Sequence, residues 1–204
     1  MRFALLALAV TCTGCSMMRP STAVVQAASD WRSVATDADR ARLRDWRGTF
    51  AAALASARAD GHGDGIAREG AFLDPDSAIG GPIPSGLYRC RVVKVGAKTA
   101  AMPNYRAFPW ATCRVQQQGK LQRFAKLDGS QREIGVIFPY DQLHSVFLGT
   151  LMLADEARAM PYGVDANRNV IGFVERVGPQ RWRLVMPKPA FESQLDVMEL
   201  VPRS

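Results

Sequence analysis

Several kinds of functional site are missing from this 204-residue chain. The apolar run over residues 3–10 is about half the length that a helix needs to cross a bilayer. Only two histidines occur, His62 and His144, and there is no Cys-x-x-Cys pair after residue 15, so a transition-metal centre is not expected. The chain also lacks the Gly-x-Ser-x-Gly motif that surrounds a serine nucleophile, and it lacks a phosphate-binding glycine loop. We therefore expect no enzyme, no catalytic residues and no cofactor.

The N-terminal residues have the layout of an export leader. Arg2 precedes the apolar run, and small residues stand directly before Cys15. This pattern predicts a signal peptide over residues 1–14. Small residues before a cysteine resemble the lipobox of bacterial lipoproteins, in which that cysteine is diacylated, although Cys12 stands where such boxes usually carry Leu. We expect lipidation at Cys15, with cleavage by an ordinary signal peptidase as the alternative.

Such an anchor places the chain in the periplasm, on the outer membrane of a Gram-negative bacterium. The 26 basic and 19 acidic residues give a net charge of +7, which favours anionic partners such as lipid headgroups, acidic polysaccharide or phosphate-bearing polymers. An exported protein rarely meets nucleic acid, so none is expected. The sequence does not indicate an oligomeric state.

Two of the four cysteines remain once the leader and the lipid site are set aside. Cys90 and Cys113 both occur in an x-Cys-Arg-Val context. An even pair in an exported domain indicates a disulfide. Closing a loop of this length would stabilise the fold by roughly 3 kcal/mol in the chain-entropy model.

The region before the sheet divides into a tether and a helical segment. Residues 15–29 are small and polar without a helical period, which is typical of a flexible tether. Residues 30–85 are predicted to form one helix and an irregular connector. Thr36 followed by acidic residues predicts the start of a helix over residues 37–59, and the glycines at 61–65 predict its end. The apolar stripe of this helix consists of Leu43, Trp46, Phe50, Leu54 and Ala57.

From residue 86 to 202 the pattern changes to alternating β-structure. Short apolar runs separated by turn residues predict an antiparallel, barrel-like domain with an up-and-down order, similar in shape to a lipocalin. At eight strands, the lumen of a barrel holds side chains or one small ligand. The predicted strands are 86–95, 108–116, 121–127, 130–138, 144–153, 169–177, 181–186 and 195–201.

Three arginines are candidate binding residues. Arg89, Arg91 and Arg114 lie on the polar phase of two strands that a Cys90–Cys113 disulfide would make neighbours. They would then share one outer face, where guanidiniums can bind carboxylates or phosphates bidentately. The alternative is that these arginines only keep the barrel soluble.

Two arrangements that resemble catalytic sets have simpler explanations. Ser130 follows Asp128-Gly129, which is typical of a hairpin turn and not of a nucleophile. His144 could pair with Asp155 and Glu156, but adjacent acids in a strand point to opposite faces. We interpret both arrangements as structural.

Several stretches together resemble a bacterial domain-of-unknown-function family, number 4893. The resemblance covers nearly all of the chain after the tether and implies one domain, but it assigns no activity and no functional residue. The stretches are DWRSVAT at 30–36, RLRDW at 42–46, GLYRCR at 86–91, GSQR at 129–132, FLG at 147–149, ERVGPQRWRLV at 175–185 and ESQLDVMELV at 192–201.

The sequence thus predicts a lipid-anchored, non-enzymatic binding or structural module of the cell envelope. One alternative is an inhibitor of an envelope hydrolase, because lipid-anchored lysozyme inhibitors are also small disulfide-bridged barrels. Lysozymes are mostly basic, however, and a basic inhibitor would be repelled. A second alternative is a carrier of a small apolar ligand.

Overall fold

The structure, a computed structural model, describes residues 30–203. The predicted signal peptide, Cys15 and the tether lie outside the described residues. The helices are α1 (Asp37–Arg44), α2 (Trp46–Ala57) and α3 (Gly63–Glu69), with short helical turns at Trp31–Ser33, Arg58–His62 and Gly70–Leu73. No helix within residues 30–203 is both long enough and apolar enough to cross a membrane.

The helical segment begins as predicted but is divided. Thr36 caps α1, and its side chain accepts a hydrogen bond from the backbone of Asp39. The prediction of one helix over residues 37–59 is wrong, because the backbone bends at Asp45 (φ −92°, ψ 13°). The bend lets α1 pack on strand β7 and α2 on strands β1, β8 and β9 around a curved wall.

The glycines at 61–65 break the helix without ending the helical region. Gly61 adopts φ 84°, a left-handed conformation that glycine reaches without strain. The chain then resumes as α3, which buries Ile66 against the core. The predicted irregular connector is therefore confined to residues 74–85, because residues 66–73 are mostly helical.

The remaining chain forms nine antiparallel strands. They are β1 (Gly86–Ala97), β2 (Tyr105–Ala107), β3 (Ala111–Gln118), β4 (Leu121–Lys126), β5 (Gln131–Pro139), β6 (His144–Leu153), β7 (Asn169–Gly178), β8 (Arg181–Pro187) and β9 (Ser193–Pro202). Strand β1 pairs with both β3 and β9, which closes eight strands into a barrel. The predicted barrel-like fold is thus confirmed.

The ninth strand, β2, was not predicted. It pairs with the end of β1, where Tyr105 lies opposite Val95, on the same side of β1 as β3. The strand predicted to begin at residue 108 begins at Ala111 instead. Pro109 lacks an N–H and cannot donate to the ladder, so β2 and β3 are separated by an interruption beside β1.

Two apolar cores lie on opposite sides of the sheet. The lumen is filled by side chains from all eight barrel strands. These are Tyr88, Cys90, Val92, Cys113, Val115, Phe124, Ile137, Phe147, Val174, Trp182, Leu184, Met186, Met198 and Leu200. Gly135 and Gly149 face each other across β5 and β6, and an added Cβ on either would collide with the ring of Phe147.

The second core lies between the outside of the barrel and the helices. Phe50 and Leu54 of α2 pack there with outward side chains such as Val95 and Phe173. Trp46 is also buried, and its ring lies 5.6 Å from that of Phe173. The predicted packing of the apolar stripe against the barrel is therefore confirmed.

Candidate functional site

The predicted disulfide between Cys90 and Cys113 is present. Both residues are fully buried in the lumen, and their Cα atoms are 5.9 Å apart. Cys113 lies directly opposite Tyr88, so the bond joins β1 and β3 diagonally. It fixes the two strands that carry the candidate arginines.

The three arginines point away from the lumen, as predicted. Arg89 lies opposite Thr112, and Arg114 lies opposite Leu87, in the phase opposite to the buried cysteines. Arg89 and Arg114 are exposed and form no ion pair with any residue in the described range, 30–203. Both guanidiniums are therefore open to an anionic partner.

Arg91 has a different environment from the one predicted. Its Nε donates to Glu199 at 2.6 Å, and its Nη1 donates to Glu69 of α3 at 3.0 Å. Glu199 also accepts from Arg181 at 2.5 Å. Because two carboxylates already neutralise and hold it, Arg91 fastens α3 to the barrel and is not an open binding residue.

The exposed outer surface of β1, β3 and β4, which we call the bare wall, is both basic and apolar. Its cations are Arg89, Arg114 and Arg123, and Arg123 is also exposed and unpaired within residues 30–203. The ring of Trp110 is 42% exposed, and the guanidinium of Arg89 lies 4.6 Å from its centroid. The complete set is Leu87, Arg89, Trp110, Arg114, Arg123 and Leu127.

One end of the lumen is polar. Lys94 forms ion pairs with Asp196 at 3.3 Å and Glu192 at 2.8 Å, while the nearby Glu133 is buried with one oxygen lacking a hydrogen bond. Burial raises the pKa of both Glu133 and Asp196. The cavity here is about 30 Å³, enough for about one water. It is too small for a carried apolar ligand.

His144 lies between two carboxylates. Its Nδ1 is 2.9 Å from Asp141, and its Nε2 is 3.1 Å from Glu175. Glu175 and Asp141 raise the pKa of His144, against the opposing effect of burial. With a carboxylate beside each ring nitrogen, the side chain is suited to be a structural cation and not a general base.

Glu175 is itself held by a fully buried arginine. Arg183 donates from Nε to Glu175 at 2.6 Å, and neither side chain is exposed to solvent. Its Nη1 donates to the carbonyls of Ala71, Phe72 and Asp74. This buried pair ties the segment after α3 to β7 and β8.

The acids considered for His144 in the sequence lie elsewhere. Glu156 pairs with Arg168 at 3.0 Å and accepts from the backbone of Leu153. No group of three His, Cys, Asp or Glu residues within 30–203 is placed to hold a metal ion. Neither observation assigns an activity.

The comparison with protein families gives a match over most of the chain. A family model described as a domain of unknown function, DUF4893, matches residues 31–200. The chain belongs to the DUF4893 family. This confirms the resemblance seen in the sequence, and the match runs from the first helical turn to the last strand of the barrel. Neither the curated proteins nor the solved structures gave a match.

Membership of DUF4893 transfers no residue role, so the site rests on the geometry of this chain. Sequence reasoning did not single out Trp110, Arg123 or the Glu175–Arg183 pair. The pair had a signal, because Glu175 and Arg183 carry opposite charges at mirrored positions of two strands joined by a tight turn. Trp110 had none, because its exposure depends on the interruption at Pro109.

Proposed function

We propose that this protein is a lipid-anchored, non-enzymatic module on the periplasmic side of the bacterial envelope. In this proposal, the bare wall binds the phosphate groups of anionic membrane lipids. The observation that carries it is the presence of three exposed, unpaired guanidiniums on one wall, with that of Arg89 lying over the ring of the exposed Trp110. Arginine binds phosphate oxygens bidentately, and its charge persists at any physiological pH.

The apolar residues of the bare wall favour a membrane over a soluble anion. Leu87, Trp110 and Leu127 are each about two-fifths exposed on the same face as the arginines. Tryptophan and leucine beside basic residues are typical of surfaces that lie at the boundary of headgroups and acyl chains. Each cation near an anionic surface contributes about 1 kcal/mol to attachment.

A lipid at Cys15 would complement this weak surface. The tether over residues 15–29 spans at most about 50 Å when extended, at 3.3–3.6 Å per residue. That reach lets the barrel turn its bare wall toward the bilayer. The filled lumen gives no support to the alternative of a carrier for a small apolar ligand. No feature of residues 30–203 specifically favours the hydrolase inhibitor.

The anchor is tested by cell fractionation. Cys15→Ala should move the protein from the membrane fraction to the soluble periplasmic fraction. Unchanged membrane association that persists after high-salt washing would contradict the lipid anchor.

The bare wall is tested with the released Cys15→Ala protein on vesicles. Sedimentation should show binding to phosphatidylglycerol vesicles, weaker binding to phosphatidylcholine vesicles, and loss of binding as salt increases. Changing Arg89, Arg114 and Arg123 together to Gln should abolish binding. A matched control changes three other exposed, unpaired arginines, Arg58, Arg68 and Arg158, to Gln with the same loss of charge. Equal losses in both variants would show a general charge effect and not a defined surface.

A further inference from the structure

We propose that a second surface, the groove beside His144, binds an acidic oligosaccharide. The groove is separate from the bare wall, because none of the six residues that define the bare wall lines it. Its two halves differ in chemistry and meet at the Asp141–His144 pair. Each half supplies one part of the argument.

The first half is an aromatic groove of about 440 Å³. Trp31, Trp46 and Phe173 are buried at its base, while Tyr140 remains 43% exposed. The ring of Tyr140 stacks on Phe173 with centroids 5.8 Å apart, and Trp31 meets it edge-on at 6.1 Å. The guanidinium of Arg32 lies 5.1 Å from the centroid of Tyr140. Together these contacts fix a partly exposed aromatic wall, beside which the C–H face of a pyranose ring can pack.

The charges of this half leave one cation unsatisfied. Arg40 pairs with Asp37, and the guanidinium of Arg32 stacks on the ring of Trp31 at 4.6 Å. His144 already faces Asp141 and Glu175. Arg44 is exposed and has no hydrogen bond or ion pair within residues 30–203. An unpaired guanidinium beside an apolar wall fits a ligand that has both a ring and a carboxylate.

The second half is a polar groove of about 380 Å³. Asp141 and His144 line both grooves, so the two are adjoining. Gln142 and Lys120 line the second half, and their side chains make no hydrogen bond or ion pair within the described chain. Amide groups donate and accept hydrogen bonds, as sugar hydroxyls do. The amide-bearing half favours a hydroxyl-rich ligand of several rings over a single aromatic acid.

Together, the aromatic half and the polar half of the groove fit one class of ligand, an acidic oligosaccharide. A sugar ring would pack beside Tyr140 with its carboxylate on Arg44. The next rings would pass His144 toward Gln142, with a second carboxylate near Lys120. Neither half alone supplies apolar, hydroxyl and carboxylate recognition together.

Trigalacturonate is a suitable probe, and titration calorimetry on the purified mature chain tests the site. We expect saturable binding of trigalacturonate and no binding of neutral maltotriose. Arg44→Gln should weaken binding by about tenfold or more, the usual effect of losing a charged hydrogen-bond pair. Arg58→Gln, which removes an exposed arginine outside the groove, is the matched control and should bind as the unchanged protein does.

The ring contact is tested separately. Tyr140→Phe should retain most of the affinity, whereas Tyr140→Ala should lose it. Arg44 is exposed, so its substitution leaves the fold intact and decides the question even if Tyr140→Ala fails to fold. Absence of binding, equal binding by Arg44→Gln, or inorganic phosphate competing as well as trigalacturonate would overturn the proposal.

Discussion

Two walls of the same barrel differ in what lies against them. Outward side chains of β5 to β9, such as Phe138, Leu148 and Val185, are buried beneath the helical segment. On the bare wall, outward side chains of β1 and β3 such as Arg89 and Arg114 are exposed. Strand β8 is buried from Trp182 to Pro187, whereas β3 alternates between buried and exposed positions. Alternation of buried and exposed side chains is therefore a property of a sheet with one face in water, and it disappears where both faces are covered.

The comparison also separates two kinds of arginine. Arg183 is fully buried under the helical segment with its carboxylate partner, while Arg114 is exposed and unpaired within residues 30–203. Under the helices the charge of Arg183 is paired with a carboxylate and hydrogen-bonded to three backbone carbonyls. On the bare wall a charge is expected to have little effect on stability, because it stays in contact with water.

The largest expected effect comes from removing the buried arginine. Arg183→Met should lower the free energy of unfolding by about 3–5 kcal/mol, because Glu175 would lose its principal partner inside the protein. Arg114→Met should change it by less than about 0.5 kcal/mol. Urea denaturation of both variants measures the difference. Similar losses of unfolding free energy in the two variants would show that an arginine under the helices matters no more for stability than one on the bare wall.

Truncating one tryptophan on each wall gives the second test. Trp46→Ala should cost roughly 3–5 kcal/mol, because its buried ring contacts Phe173 and His144. Trp110→Ala should cost about 1 kcal/mol or less, because the ring is partly exposed. Thermal unfolding checks stability, and vesicle sedimentation should show that only Trp110→Ala loses membrane binding.

Removing the disulfide tests what stabilises β1 and β3, the strands of the bare wall. Replacing Cys90 and Cys113 together by Ala should cost roughly 3 kcal/mol, since the bond closes a loop of 23 residues. Reduction of the unchanged protein should produce a similar loss, and reduction of the double variant should produce none. A stability that reduction leaves unchanged would show that β1 and β3 do not depend on the bond.

The smallest expected effect is a pH dependence from His144. Its carboxylate neighbours raise its pKa in the folded state above the ordinary value. The resulting stabilisation is fully present below the unfolded pKa of about 6.5 and is lost as pH rises through the folded value. Stability should therefore fall from about pH 6.5 upward, and His144→Gln should reduce this slope. Denaturation curves across that range measure it, and an unchanged slope would contradict the assignment.

Much of the fold was predictable because its local signals were strong. Thr36 and the apolar stripe determined where the helical segment begins and which face is buried. Turn residues and alternation located the eight barrel strands to within a few residues. The bend at Asp45 and the continuation after Gly61 were not predictable, because both depend on the curvature of the wall beneath the helices.

The candidate site was predictable only in part. The alternating pattern placed Arg89, Arg91 and Arg114 on one outward face, because side chains alternate along any strand. It could not show that Arg91 is neutralised, since Glu69 and Glu199 approach it from a helix and from the opposite side of β1. Trp110 likewise became part of the bare wall only through the break between β2 and β3.

The sequence by itself determined the eight barrel strands, the start of the first helix, the outward phase of the arginines and the pairing of the two available cysteines. These depend on backbone periodicity, turn chemistry and residue counts, which are local properties. Only the tertiary structure decided that the lumen is filled, which wall is covered, and which arginines remain unpaired. Those outcomes depend on contacts between residues far apart in the chain. The local pattern of a single strand or helix does not specify which distant elements pack against it.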